Sequence, residues 1–224
     1  MSERRSGRSP YTIDLIVFTA LTDQLAVLLR RTPETREKWA LPWDWPLSDS
    51  PLEEVAATVA ADAIGVAPAW LEQLGAFGRE RRHPSECDIS VAFVGLAAAG
   101  TPPPVGGAYA WFPIRELPPL PPRQRAMADG AVLMLRARMD QSPVAFRLLP
   151  ASFTLGELQH MYELLLGKRL HKASFRRALQ AAWLVEPTDE WRSEGRGRPA
   201  QLFRYAPRKR RPAQRGIRFD LLPP

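Results

Sequence analysis

The charge of this 224-residue chain changes sign along its length, and the residue pattern changes with it. Residues 1–141 carry 15 Lys and Arg against 17 Asp and Glu, a net of −2. Residues 142–224 carry 16 against 7, a net of +9. A near-neutral first part and a strongly basic second part predict two domains that meet different partners. A basic half is the electrostatic footprint of a surface that meets phosphates. Arginine supplies 27 of the 31 basic residues, beside 23 prolines, which is what a GC-rich codon bias would give. Where the charge lies is therefore informative, and which residue supplies it is not. With 45% hydrophobic residues the chain can build buried cores, which excludes a wholly disordered polymer. The single cysteine, Cys87, excludes an internal disulfide framework and any cysteine-rich zinc module, and fits a reducing compartment. No apolar run approaches the roughly 18 to 20 residues of a membrane helix. The basic stretch 1–10 has no apolar segment behind it to act as a secretory signal. These features predict a soluble cytoplasmic protein with no membrane partner.

The first part reads as strands with one early and one late helix. Tyr11–Thr19 and Gln24–Arg31 are rich in apolar and β-branched residues and predict two buried strands. A polar loop and the compact segment WALPWDWP follow. Ser50 and Pro51 predict a helix start, Ser as N-cap and Pro in the first turn, and Gly65 predicts its end. Leu71–Phe77, Asp88–Ala97 and Tyr109–Pro113 are further predicted strands, and a helix over about Arg123–Met139 closes this part. The order predicts an α+β domain over 11–141, an α/β/α sandwich.

The second part changes period. Thr154 with Glu157 is a capping-box signature, and Leu155, Leu158, Met161, Tyr162 and Leu165 form an amphipathic stripe that stops at Gly167. A basic turn leads to a second helix, about Lys172–Ala182. Two short strands, Trp183–Pro187 and Leu202–Tyr205, then flank a charged loop, Thr188–Gln201. Helix, turn, helix and hairpin is the order of a winged helix-turn-helix, here over 142–207. Phe175, Leu179, Trp183, Leu202 and Phe203 are its predicted core. A basic tail, 208–224, completes the chain.

Leu41–Val66 resembles the region around a Nudix box, G-x5-E-x7-R-E-U-x-E-E-x-G-U. Anchored on Gly65–Val66, the spacing falls on Asp44, Ser50, Thr58, Val59, Asp62 and Ala63. In an active box, carboxylates at i, i+3 and i+4 share one helix face and hold Mg²⁺ against a diphosphate. Here those positions are Val59, Asp62 and Ala63, and Thr58 stands in the arginine's place. One carboxylate does not make a cluster, so the box is read as degenerate, with no catalytic residue, no metal ligand and Asp62 as a solvated side chain. Glu80, Glu86, Cys87 and Asp88 share a loop that is read as mobile and solvated. Cys87 and His83 form no recognisable nucleophile pair. His160 and His171 are read as surface or DNA-side residues.

The motif FTLGELQ…YE…LG…L.K..FRR…GRGRP.QL.RY, with the degenerate box before it, resembles the Nudix-related transcriptional regulators, the NrtR family, over about residues 11–206. The resemblance implies a dimeric repressor: an ADP-ribose-sensing Nudix-like domain fused to a winged helix, acting on genes of NAD metabolism or a related nucleotide or sugar process. It implies double-stranded DNA, a palindromic operator, as partner. Lys172, Ser174, Arg176 and Arg177 would lie on the groove-reading helix, with Arg196 and Arg198 at the wing tip. Arg4, Arg5 and Arg8 are candidates for a minor-groove arm. ADP-ribose or a related nucleotide is the implied effector, and no cofactor is implied. This chain departs from the family's pattern in three places. Trp43–Asp44 stand where the pattern has the two glycines of LPGG. His83–Pro84–Ser85–Glu86 stand where a D-P-R stretch is found, and Arg123–Gln124 where an Asp-His pair is found. The bulk of Trp43 and the charge of Asp44 both oppose a diphosphate. The residues alone leave two other readings: a divergent nucleoside-diphosphate hydrolase using Glu53, Glu54 or Asp62, and a scaffold binding RNA or an acidic protein.

Overall fold

The computed structural model describes residues 9–21, 23–46, 50–78, 82–102, 107–139, 142–193 and 199–206. Arg196 and Arg198, the arm at Arg4, Arg5 and Arg8, Glu80 and the basic tail lie outside the described residues. The chain forms two compact units, Met1–Val132 and Leu133–Pro224.

In the first unit seven strands form one mixed sheet: β1 (Tyr11–Leu21), β2 (Gln24–Thr32), β3 (Lys38–Ala40), β4 (Trp43–Asp44), β5 (Trp70–Phe77), β6 (Ile89–Leu96) and β7 (Tyr109–Pro113). The main path runs β3-β2-β1-β6-β5, with β4 paired to β1 and β7 to β2. β1 and β6 are parallel and the remaining pairs antiparallel. The nearly continuous apolar run of β1 is buried from Thr12 to Ala20, as a central strand covered on both faces must be.

Helix α1 (Leu52–Ile64) covers one face. Its alanines, Ala56, Ala60 and Ala63, let the backbone approach Ile13, Leu15, Val17 and Phe93 closely, with Val55 and Val59 at the margin. Gly65, with φ of 77°, ends it in the left-handed conformation by donating its N–H to the Ala61 carbonyl at 2.7 Å. The start differs from expectation. Pro51 is the cap, its carbonyl accepting from Glu54 and Val55, and no side chain caps the helix, so Ser50 is one residue too early for the role. A second helix, α2 (Pro122–Arg138), begins in this unit. Its first turn reaches Ser90 through Arg123 and Asp14 through Gln124, and Asp14 alternates with the Ile13–Leu15–Val17 set and so faces away from α1.

The second unit holds α3 (Leu155–Leu166), α4 (Lys172–Ala182) and a hairpin of β8 (Val185–Arg192) and β9 (Ala200–Tyr205). Both halves of the capping box are formed: Thr154 Oγ1 accepts from the Glu157 N–H at 3.1 Å, and Glu157 Oε2 accepts from the Thr154 N–H at 2.7 Å. Gly167 ends α3 at φ 70°. Phe153 exchanges backbone hydrogen bonds with Phe203 at 2.9 and 2.7 Å, adding one rung to the hairpin. Phe146, Phe153, Tyr162 and Phe175 form a connected aromatic core, with Leu158, Leu165, Leu179 and Leu202 around it.

Two expectations for this unit are corrected. Trp183 is 56% exposed and does not join the core, because it sits in the left-handed region (φ 52°) as the cap that ends α4. The first hairpin strand starts at Val185 and runs on to Arg192, so the expected loop is strand from Thr188 to Arg192. Its polar residues, Thr188 to Glu190, form an irregularity between the two paired stretches of the hairpin, tied to β9 by the Thr188 hydroxyl, which donates to the Leu202 carbonyl at 3.0 Å.

Candidate functional site

Two surfaces follow from the sequence expectations, one in each unit. In the second unit, α4 buries Phe175 and Leu179 and exposes Lys172, Ala173, Arg176, Arg177 and Gln180. Three of the expected positions, Lys172, Arg176 and Arg177, thus present cations on one helix surface. Ser174 differs: it is only 8% exposed, and its Oγ lies 3.3 Å from Nδ1 of His171, the residue that caps α4. Gln180 carries no charge to mark it in the sequence, yet its spacing of three and four from Arg177 and Arg176 puts it on the same exposed face.

The turn before α4 is held by Glu163. Its Oε1 accepts from the Leu170 N–H at 2.9 Å and from Gln159 Nε2 at 3.0 Å, and Gln159 Nε2 also reaches the Leu170 carbonyl at 2.9 Å. These bonds fix where α3 hands over to α4. The hairpin is fixed similarly: Arg192 donates to Glu157 Oε1 at 2.6 Å, so a single carboxylate caps α3 and anchors β8. Trp191, beside it, is exposed. The surface is therefore a basic helix on a braced support, with no long polar side chain needed to hold the fold together from its outer face.

In the first unit a cleft of about 180 Å³ lies between β4 and α1. Asp44, Ser50, Thr58, Val59 and Asp62 of the degenerate box all line it, joined by Trp45, Glu54 and Val55. Ala63 does not, being buried against the sheet, and Gly65 serves as the helix cap. Glu54 is reached because it lies four and eight residues before Thr58 and Asp62, two turns along one face. The Thr58 hydroxyl donates to the Glu54 carbonyl at 2.9 Å. Among the described residues no group of three or more His, Cys, Asp or Glu side chains is gathered in a way that could hold a metal ion.

Behind the cleft's β4 wall lies a buried polar network centred on Asp14. His83 Nε2 lies 2.8 Å from Asp14 Oδ1, and its Nδ1 lies 2.6 Å from the Ser85 hydroxyl and 3.1 Å from the Ser85 backbone nitrogen. Gln124 accepts from the Leu41 N–H through Oε1 at 2.9 Å and donates through Nε2 to Asp14 Oδ1 at 2.7 Å. Thr12 donates to Asp14 Oδ2 at 2.9 Å, which leaves Ser90 as donor to Thr12 at 2.9 Å and as acceptor from Arg123 at 3.2 Å. Each donor in this chain polarises the next. The sequence predicts a mobile, solvated loop around His83. Glu86 and Asp88 are exposed as such a loop requires, but His83 is buried at 2% exposure and is fixed by both ring nitrogens.

Among the described residues no helix is long and apolar enough to cross a membrane. Comparison with known proteins places the two surfaces in context. Residues 145–205 match the model of the NrtR DNA-binding winged helix domain. The chain is 28% identical over 204 residues to the ADPR responsive transcriptional repressor NtrR of Acinetobacter baylyi, covering 87% of this chain and 81% of that one. It superposes on Shewanella oneidensis NrtR complexed with a 27mer DNA with a TM-score of 0.77 and 30% identity, over 89% of this chain and 94% of that one. A MutT/nudix family protein from Enterococcus faecalis, 18% identical with a TM-score of 0.71 over 91% of this chain and 90% of that one, shares the fold. A chain whose first unit is a Nudix-like sheet and whose second is a winged helix, matched along nearly its whole length at this identity, belongs to the NrtR family of Nudix-related transcriptional regulators.

Proposed function

We propose that the protein is a DNA-binding transcriptional repressor whose second unit reads the operator and whose first unit is non-catalytic. The observation that carries the reading is the cationic outer face of α4, Lys172, Arg176 and Arg177, on a helix braced by Glu163 and by the hairpin. Arginines on such a face bond guanine edges or phosphates, and each contact contributes about 1 to 3 kcal/mol. The helix start adds the positive end of a dipole. Ser174 serves this face from beneath, through His171, and Arg196 and Arg198 are assigned to the wing contact on sequence grounds.

The protein acts as a homodimer on a palindromic operator in the cytoplasm, because one small domain with a few phosphate contacts binds weakly at physiological salt and two half-sites multiply the affinity. The relatives' character as ADP-ribose-responsive repressors supports a target among genes of NAD metabolism or related nucleotide and sugar processes. The cleft supports a non-catalytic first unit: Val59 and Ala63 offer no oxygen at two of the three box positions, and Ala63 faces the sheet.

A gel-shift with the DNA upstream of the gene tests this directly. A sharp shift that resists polyanion competitor, and that is lost in the Arg176→Ala/Arg177→Ala double variant, is expected. Uniform weak binding to any polyanion would overturn it. Incubation with Mg²⁺ or Mn²⁺ and ADP-ribose is expected to release no AMP.

A further inference from the structure

We infer that Trp183, at the far end of α4, is a contact residue for the DNA backbone, its indole plate covering a deoxyribose and its Nε1–H donating to a phosphate; this rests on the repressor reading above. Three helices among the described residues end on a left-handed residue: α1 on Gly65 (φ 77°), α3 on Gly167 (φ 70°) and α4 on Trp183 (φ 52°). Glycine takes that conformation freely, whereas a Cβ resists it and a bulky aromatic is an outlier there. The other non-glycine residues of positive φ, Lys38 and Glu86, end no helix. Neighbours dictate the turn at 183. The Trp183 N–H donates to the Gln180 carbonyl at 3.3 Å, and Leu184, the next residue, is buried with its carbonyl accepting from Ala206 at 2.9 Å. The fold thus requires a left-handed residue at this place but not a tryptophan, and glycine or asparagine would meet the requirement with less strain.

Burial does not compensate for the strain, since the side chain is more than half exposed. Single exposed apolar residues are common, and Val66, Ile89, Leu133 and Trp191 are others in this chain, so exposure alone carries no weight. What sets Trp183 apart is its place. It follows Arg176 by seven residues and Gln180 by three, which puts its Cα on the same line of the helix surface. At a rise of about 1.5 Å per residue it lies about 10.5 Å along the axis from Arg176. The major groove is about 12 Å wide. With the arginines inside the groove, the end of α4 therefore arrives at the sugar-phosphate wall and not at a base edge. An indole suits that wall: the sugar offers apolar C–H surface, the phosphate accepts a hydrogen bond, and tryptophan carries an apolar plate with a single N–H donor. Lys172, Arg176 and Arg177 on the same helix make a polyanion the occupant that the charge of this surface favours.

The test is a titration of the upstream duplex with the full chain, unaltered and as Trp183→Gly, beside thermal unfolding of both. The variant loses the strain together with the plate. Its unfolding midpoint is expected at or above that of the unaltered chain, while its affinity falls about tenfold, the worth of covering roughly 60 Å² of apolar surface. The salt dependence is expected to keep its slope, because no cation is removed, unlike that of Arg176→Ala/Arg177→Ala. Trp183→Phe, which keeps a plate without the N–H, is expected to fall between. A folded Trp183→Gly of unaltered affinity would overturn the inference, as would an affinity loss matched by a lower unfolding midpoint. A changed oligomeric state in sedimentation would overturn it too, by showing that the indole covers a second copy of the chain. Should the variant not fold, hydroxyl-radical labelling of the unaltered chain decides: Trp183 is expected to be labelled alone and protected at saturating duplex, and undiminished labelling refutes the contact. An unaltered chain that shifts no fragment refutes the repressor reading and this contact with it, whereas a shift that the variant reproduces in full refutes the contact alone.

Discussion

Helices α1 and α4 are built on the same plan and turn opposite charges outward. α1 buries Ala56, Ala60 and Ala63 and presents Glu53, Glu54 and Asp62; α4 buries Phe175 and Leu179 and presents Lys172, Arg176 and Arg177. The inward faces satisfy the same demand, removal of apolar area from water, and say nothing about partners. The outward faces carry no folding burden, so their charge reflects what each unit meets. The units differ in a second respect. The first places its most demanding polar groups inside, where Asp14, His83 and Gln124 satisfy one another. The second keeps Glu157 and Glu163 nearer the surface, where they brace a turn and a hairpin while the arginines remain exposed for a partner.

Replacing Asp14 puts the sharpest strain on this comparison. Asp14→Leu removes the acceptor that His83, Gln124 and Thr12 share in a dry interior, leaving Gln124 only the Leu41 carbonyl and Thr12 only Ser90, and is expected to cost the first unit about 3 to 5 kcal/mol in chemical denaturation. If the loss is below about 1 kcal/mol, the buried network is not what holds segment 41–45. The converse is the Arg176→Ala/Arg177→Ala variant. It is expected to weaken operator binding by about 2 to 4 kcal/mol, flatten the salt dependence, and leave the unfolding curve unchanged. An unfolding shift comparable to the binding loss would show that these side chains belong to the fold.

Smaller changes sharpen the picture of the second unit. Gly167 is left-handed, and a Cβ there would lie 2.9 Å from an Arg136 guanidinium nitrogen. Gly167→Ala is expected to cost about 1 to 2 kcal/mol and to weaken DNA binding only as far as it unfolds the unit. Thr154→Ala removes one half of the capping box and should cost about 1 kcal/mol, read by thermal unfolding of the chain.

The features that were legible in the sequence are those whose cause is local. The capping box needs Thr154 and Glu157 three residues apart, and Gly167 announces its own conformation. The basic face of α4 is a matter of helical spacing. The Asp14 network could not be read this way, because His83 and Gln124 reach Asp14 across 69 and 110 residues and no period relates them. Trp183 misled for a related reason: its indole suggests burial, whereas its backbone is engaged in ending a helix. The cleft was half legible. The box register found Asp44, Thr58, Val59 and Asp62, but Glu54 joins them only through the helix face.

The rung between Phe153 and Phe203 has a mechanical consequence. Together with the two hydrogen bonds that Glu157 makes, one to the start of α3 and one to Arg192, it welds the hairpin to the helical pair at both edges. Among the described residues the hairpin strands are braced at these two points. A duplex docked on α4 therefore meets an arm set at a fixed distance, and any mismatch in groove width must be absorbed by bending the DNA. Base pairs that the protein never touches would then influence affinity through their stiffness.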